Sequence, residues 1–299
     1  MVDFWLRRRQ IKIFIPTQGR VDSQYTWDQI PRKWQQYTSI VCPISERDEH
    51  ISRGRNVAPH PNNCKGISKV RQFILEKLAP EKFFMIDDDH RTFRRIEEGS
   101  TKLALATDKD YDWMFENLVA WLDDFVHVGV GARGGNLHQP VPYVENTRIN
   151  NFHGFRKSVL LKHDLRFDDM ELMEDLDIIL SILELGYSNR LMTEMCWNHA
   201  RGSNASGGCS DYRDYEMQRA AAYKLKDRHP NYVTVVDKMK TKYSWSNMPG
   251  RTDVRVQWQK CYKEAQNALQ AETSEECESG LPNVQTVENE WLLRRFSGG

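Results

Sequence analysis

The feature that most limits the fold of this chain is a four-residue apolar run, Phe83-Phe84-Met85-Ile86, that passes directly into three adjacent aspartates, Asp87-Asp88-Asp89. Consecutive large apolar residues bounded by charge predict a strand covered on both faces, the habit of parallel strands in α/β proteins. Residues 11 to 15 form a second such run, which empties into the turn-like Pro16-Thr17-Gln18-Gly19-Arg20. Between the two, Ile67, Val70, Ile74, Leu75 and Leu78 recur at helical spacing, with Gly66 before them and Pro80 after. Strand, helix, strand in that order implies parallel pairing through a right-handed crossover. Ligands of such sheets bind at the carboxyl ends of the strands, so residues 16 to 20 and 87 to 89 are expected on one functional edge.

The rest of the chain supports an α/β reading with a mostly parallel sheet flanked by helices in a single domain. The pattern predicts an amphipathic stretch at 27–36, a strand at 37–41, and a long polar loop to 63. Helices follow at 111–124, 158–161, 173–185 and 212–228, and strands at 126–131, 152–155 and 192–197. Flexible loops are expected at 133–136 and 202–210. Residues 264 to 290 hold seven glutamates and no Lys or Arg, so the domain is set at 1–263, with 264–299 an acidic, poorly ordered tail.

Formal net charge is zero, which gives no general argument for a nucleic-acid or membrane partner. The charge is uneven, however: residues 1 to 72 carry thirteen Lys and Arg against six Asp and Glu. Arg7-Arg8-Arg9 and Arg53, Arg55, Lys65, Lys69 and Arg71 supply most of that excess, which suits either a polyanion or an ordinary solvated face. Six scattered cysteines without a Cys-x-x-Cys pair argue against a zinc site and a disulfide framework, and fit a reducing compartment. No apolar signal-like stretch and no run of eighteen apolar residues occur, so a cytoplasmic protein without membrane attachment is expected.

Three aspartates side by side repel one another unless a cation or donors neutralise them. Carboxylate oxygens suit Mg2+ or Mn2+, and a diphosphate bound through the same ion would complete its shell. A solvated acidic turn is the bland alternative. A hydrolase of the haloacid dehalogenase type is excluded by Arg91, which stands where that motif needs Thr or Val.

The ordered set of Pro16-Thr17, Gly19-Arg20, the basic helix 66–71, the aspartate triplet, Glu174-Asp175 and then His199 resembles the GT-A glycosyltransferases. The resemblance implies a GT-A, Rossmann-like fold, a nucleoside diphosphate sugar as donor, most simply a UDP-sugar, and Mn2+ or Mg2+ as cofactor. It implies that Pro16, Thr17, Gly19, Arg20, Arg71, Asp87 and Asp88 line the nucleotide sugar and that Asp89, His199 and Asp87 hold the metal. It also implies that Asp175, ahead of Glu174, is the base for an inverting transfer, although helix-start acids also simply complement the dipole. A lone histidine after a strand is equally a structural residue.

More narrowly, residues 83–93, Phe152-His153-Gly154-Phe155-Arg156-Lys157 and Met173-Glu174-Asp175-Leu176-Asp177 are similar to the bacteriophage TET-associated glycosyltransferases. That similarity implies DNA containing 5-hydroxymethylcytosine as acceptor, in the cytoplasm of an infected host. The basic residues Arg53, Arg55, Lys65 and Lys69 and the Arg7 to Arg9 cluster would then meet phosphates, while Tyr212, Tyr215, Trp245 and Trp258 could stack near a base. A GT-A enzyme for a polysaccharide, lipid or protein acceptor, and a silent nucleotide- or DNA-binding protein on the same scaffold, are the competing readings.

Overall fold

The computed structural model describes residues 11–136, 141–200, 213–239 and 250–279. Nine of its strands form one sheet in the order β2-β1-β3-β8-β6-β9-β4-β5, with β7 pairing separately on β9. They are β1 (Lys12–Pro16), β2 (Thr38–Val41), β3 (Lys82–Ile86), β4 (His90–Arg95), β5 (Leu103–Leu105), β6 (His127–Ala132), β7 (Tyr143–Glu145), β8 (Phe152–Arg156) and β9 (Asn189–His199). A two-stranded hairpin, β10 (Val233–Met239) and β11 (Gly250–Val256), stands apart.

As expected, β1 and β3 are parallel with helix Ile67–Phe73 between them, and β2 extends the parallel set. The central β8 is antiparallel to both β3 and β6, and β9 is parallel to β6. It follows that β1, β2, β3, β6, β9 and β5 run one way and β8, β4 and β7 the other. The carboxyl ends of β1, β3 and β9 therefore share an edge, and β4 begins there. Residues 16–20, 87–90 and 199 are brought together by topology alone.

Alternation along the strands separates two cores. Ile13, Ile15, Phe84 and Ile86 face helix Asp108–Asp124 through Met114, Phe115, Leu118 and Leu122. Phe14, Phe83 and Met85 face the other way, toward Val70, Ile74, Leu75, Ile178 and Ile182. Helix Asp108–Asp124 begins at a capping box, with Asp110 N–H donating to Thr107 Oγ1 and Thr107 N–H to the Asp110 carboxylate. Gly154 exists because its neighbour demands it: a Cβ there would stand 2.4 Å from Phe84 Cε1.

Several sequence expectations change. The loop to residue 63 contains helical turns at Ile44–Glu46 and Arg47–Ser52 and bridges back to β2, because Asn56, Ala58 and His60 hydrogen-bond along its edge. Residues 133–136, expected as a flexible loop, form a short helix, Arg133–Asn136, while 202–210 lie outside the described residues. The helix expected over 67–78 loosens after Phe73 into a wider π turn, Ile74–Leu78. Helix Trp258–Ser279 runs across the boundary expected at 264, with Cys261 buried. Its apolar residues join Leu176, Ile179, Leu180 and Leu183 of helix Glu174–Glu184 and Ala221 and Leu225 of helix Tyr215–Arg228 in a third core. Cys42, Cys64, Cys196 and Cys261 are free thiols, and no described helix is long and apolar enough to cross a membrane.

Candidate active site

The aspartates leaving β3 are each held differently. Asp87 N–H donates to Asn151 O at 3.0 Å, and Asn151 is itself left-handed, at φ 62°. The Asp87 carboxylate receives Arg71 Nη2 at 3.1 Å. Asp88 is clamped by Arg20 Nη1 at 2.7 Å and by the Thr17 hydroxyl, so that β1 and β3 are tied at their carboxyl ends. Asp89 receives His199 Nδ1 at 3.1 Å, a bond between the ends of β3 and β9.

These pairings set the ionisation of the group. Burial pushes the Asp87 carboxyl up to about 6 against the pull of Arg71. Burial likewise raises Asp88, with Arg20 and Thr17 opposing it. Burial alone would raise Asp89 too, but the His199 hydrogen bond and nearby cationic groups hold it below its usual range. The same bond raises His199. Three neighbouring carboxylates thus coexist because two arginines and one imidazole face them.

Arg71, 4% exposed, reaches the other way as well: its Nη1 donates to Glu174 Oε1 at 2.6 Å. The arginine expected at the nucleotide therefore bridges the triplet to the Glu-Asp pair, joining residues 87 and 174 into one network. Burial raises the Glu174 carboxyl despite that partner. Asp175, next to it, is half-buried and receives no hydrogen bond or ion pair among the described residues. The pair is presented by Met173, which adopts the left-handed conformation at φ 64°, a strained state for a side chain of its size.

Just past β1, Gly19 takes φ 70°, and its N–H donates to both Glu46 carboxylate oxygens, at 3.0 and 3.1 Å. Glu46 was invisible to sequence reasoning, although its place just past the carboxyl end of β2 was the available signal. His90 was missed too. It starts β4, is buried, and stacks on Trp197 with ring centroids 4.2 Å apart. Burial pushes it down to about 3, so its ring is neutral. One ligand atom each from Asp89, His90 and His199 lie within 4.8 Å of one another, a cluster that Asp87, held by Arg71, does not join.

Arg53 pairs with Asp22 at 2.6 Å and Glu49 at 3.1 Å, and Arg55 donates to Val21 O at 2.7 Å. Lys65 and Lys69 are exposed at the start of helix Ile67–Phe73. Of the aromatics expected near a base, Trp258 packs against the third core and Tyr215 against Gly250, while Tyr212, Trp245 and the Arg7 to Arg9 cluster lie outside the described residues.

Comparison with known proteins matches the sequence model of the TET-associated glycosyltransferases over residues 11–208, which takes in every element of this site. This chain belongs to that family. The glycosyltransferase is similar to the beta-glucosyl-HMC-alpha-glucosyl-transferase of Enterobacteria phage T6, at 22% identity over 234 residues, covering 74% of this chain and 81% of the relative. Among solved structures it resembles glucosyl-3-phosphoglycerate synthase from Mycobacterium tuberculosis with Mn2+, UDP and product, at 11% identity and a TM-score of 0.45. That likeness covers 86% of this chain and 94% of the other. It also resembles S. aureus TarS 1–349 with UDP-GlcNAc, at 14% identity and a TM-score of 0.43 over 73% of this chain. The chain spans 66% of that TarS chain, just under two thirds.

Proposed function

We propose that this glycosyltransferase moves a sugar from a UDP-sugar to the hydroxymethyl oxygen of 5-hydroxymethylcytosine in DNA, in a metal-dependent, inverting reaction. The observation that carries the reading is the Asp87–Arg71–Glu174 bridge, which ties the aspartate triplet to the Glu-Asp pair that contains Asp175. Family membership and the T6 relative, named for alpha-glucosyl transfer to beta-glucosyl-HMC, support an acceptor built on 5-hydroxymethylcytosine.

The donor set fits a divalent ion: an ionised Asp89 and an imidazole 3.1 Å from it, beside a buried imidazole with no hydrogen-bond partner among the described residues. Asp89 and His199 would hold the ion, with Asp87 behind them. A cation bound there supplies Lewis-acid stabilisation of the departing diphosphate. Pro16, Thr17, Gly19 and Arg20 form the donor rim, and Arg20 supplies guanidinium charge along it. Asp87 and Asp88 orient the nucleotide, and Arg71 fixes both Asp87 and the Glu-Asp turn. Asp175 takes the proton from the acceptor hydroxyl, and Glu174, committed to Arg71, holds the turn in place. Lys65 and Lys69 are the basic residues best placed for DNA phosphates, since Arg53 and Arg55 are engaged within the protein.

The test is intact-mass analysis of duplexes carrying 5-hydroxymethylcytosine or its β-glucosylated form, incubated with Mn2+ and a panel of nucleoside diphosphate sugars. A hexose-sized gain with the wild type and none with Asp89→Ala is the expected result. Donor hydrolysis dependent on Asp89 without any gain on either duplex would sink the DNA acceptor and leave the transferase. A product that keeps the donor's anomeric configuration would remove Asp175 from the role of base.

A further inference from the structure

His90 and His199 face each other directly across the β4–β9 ladder. Opposed residues of an antiparallel pair project to the same side of the sheet, so the pairing delivers two imidazoles to one point. Asp89 immediately precedes β4 and is tied to the end of β9, because Ala200 N–H donates to Asp89 O at 2.7 Å. The same Asp89 oxygen, Oδ1, lies 3.1 Å from His199 Nδ1 and 3.9 Å from His90 Nε2.

Among the described residues, His90 has no structural role that uses its nitrogens. Its side chain is 1% exposed, and neither Nδ1 nor Nε2 has a hydrogen-bond partner among the described residues. Burying both nitrogens unbonded removes their hydration without replacement, which native interiors avoid. The stack on Trp197 explains the ring plane, and a phenylalanine would stack there equally well. The backbone of His90 is separately anchored, its N–H donating to Thr26 Oγ1 at 2.9 Å, so the ring is held where it is whether or not a nitrogen is used. A fixed, dry, unbonded imidazole beside a carboxylate and a second imidazole is a ligand awaiting an ion.

We propose that His90 is a third protein ligand, with Asp89 and His199, of the divalent cation, and that the site consequently selects a transition-metal ion such as Mn2+ over Mg2+. The proposal rests on the metal-dependent reading above. Mg2+ favours oxygen ligands and gives up its waters reluctantly, whereas imidazole nitrogens suit transition metals. Two nitrogens to one carboxylate therefore tilt the site away from Mg2+.

The test is metal binding itself, read without turnover. Free Mn2+ is followed by electron paramagnetic resonance as MnCl2 is added to the protein with UDP, for the wild type, His90→Phe, His90→Gln and His199→Phe, with MgCl2 as competitor. Spin-echo spectra of the bound Mn2+ count the imidazole nitrogens. The expected result is two imidazoles in the wild type and one in His90→Phe, with Mn2+ affinity falling about tenfold or more while Mg2+ affinity stays within about threefold. Wild-type spectra with a single imidazole, or a His90→Phe protein that binds Mn2+ unchanged, would overturn the role of His90 and leave the metal reading intact. A wild type that binds no Mn2+ would overturn both.

Discussion

Helix Glu174–Glu184 is gripped at both sides, and the two regions that grip it handle charge in opposite ways. Toward the sheet edge, Glu174 is committed to Arg71, while the adjacent Asp175 is left without a partner among the described residues. Toward the C-terminal region, Asp177 is 1% exposed and fully matched: Arg228 Nε donates at 2.6 Å, and His229 Nε2 lies 3.0 Å away. His229 also reaches Glu184 with Nδ1 at 2.9 Å, and so staples two acids of the same helix seven residues apart. A carboxylate that is compensated everywhere is architecture; one left open beside a compensated neighbour is available for chemistry.

The largest break in that contrast comes from Asp175→Asn. Loss of a positioned base should lower kcat by about 10²- to 10⁴-fold, with the denaturation midpoint close to wild type. Steady-state kinetics beside urea unfolding checks it, and a variant with near-normal kcat would hand the proton to another group. Next is Arg71→Met, which strands Asp87 and Glu174 without their shared cation. A buried acid stripped of its partner costs about 3–5 kcal/mol, read as a lower urea midpoint. An unchanged midpoint would mean that the bridge contributes nothing to holding the site.

The smaller, more diagnostic effect belongs to His229. Burial opposes its charge, yet the bonds from Asp177 and Glu184 raise it to about 9. Its folded value therefore lies above the unfolded value of roughly 6.5, so its contribution is complete below that pH and is lost as pH climbs through about 9. Wild type should exceed His229→Gln by about 3 kcal/mol near pH 6, and the gap should close by pH 10. Thermal melts of both proteins across that range decide it, and a gap independent of pH would show that the ring only fills space.

The sheet edge that joins residues 16–20 to 87–89 was legible in the sequence because its signals were local. The apolar runs of β1 and β3, the spacing of Ile67 to Leu78 and the triplet all announce themselves within a few residues of one another. β4 was not legible, because His90-Arg91-Thr92-Phe93-Arg94-Arg95 is too polar to suggest a strand, although its buried residues alternate through His90 and Thr92. That omission hid His90, whose meaning depends on pairing with His199 more than a hundred positions away. Helix Trp258–Ser279 was obscured by composition. Its glutamates suggested a solvated tail, while Trp258, Cys261, Tyr262 and Leu269 kept a helical period along one side. The Arg71 bridge had no signal at all, since nothing in a sequence tells whether an arginine meets a ligand or an acid of its own chain.

The third core also dictates an order of events during synthesis. Leu176, Ile179, Leu180 and Leu183 are covered by Ala221, Leu225, Val233 and Cys261, and Gly186 at the helix end accepts Gln266 Nε2 at 2.8 Å. A nascent chain that has just released Asp175 from the ribosome still shows an oily flank and can only hold that helix loosely. The helix that carries the Glu-Asp pair is fully covered only after some ninety further residues have emerged, long after residues 16–20 and 87–89 have been made.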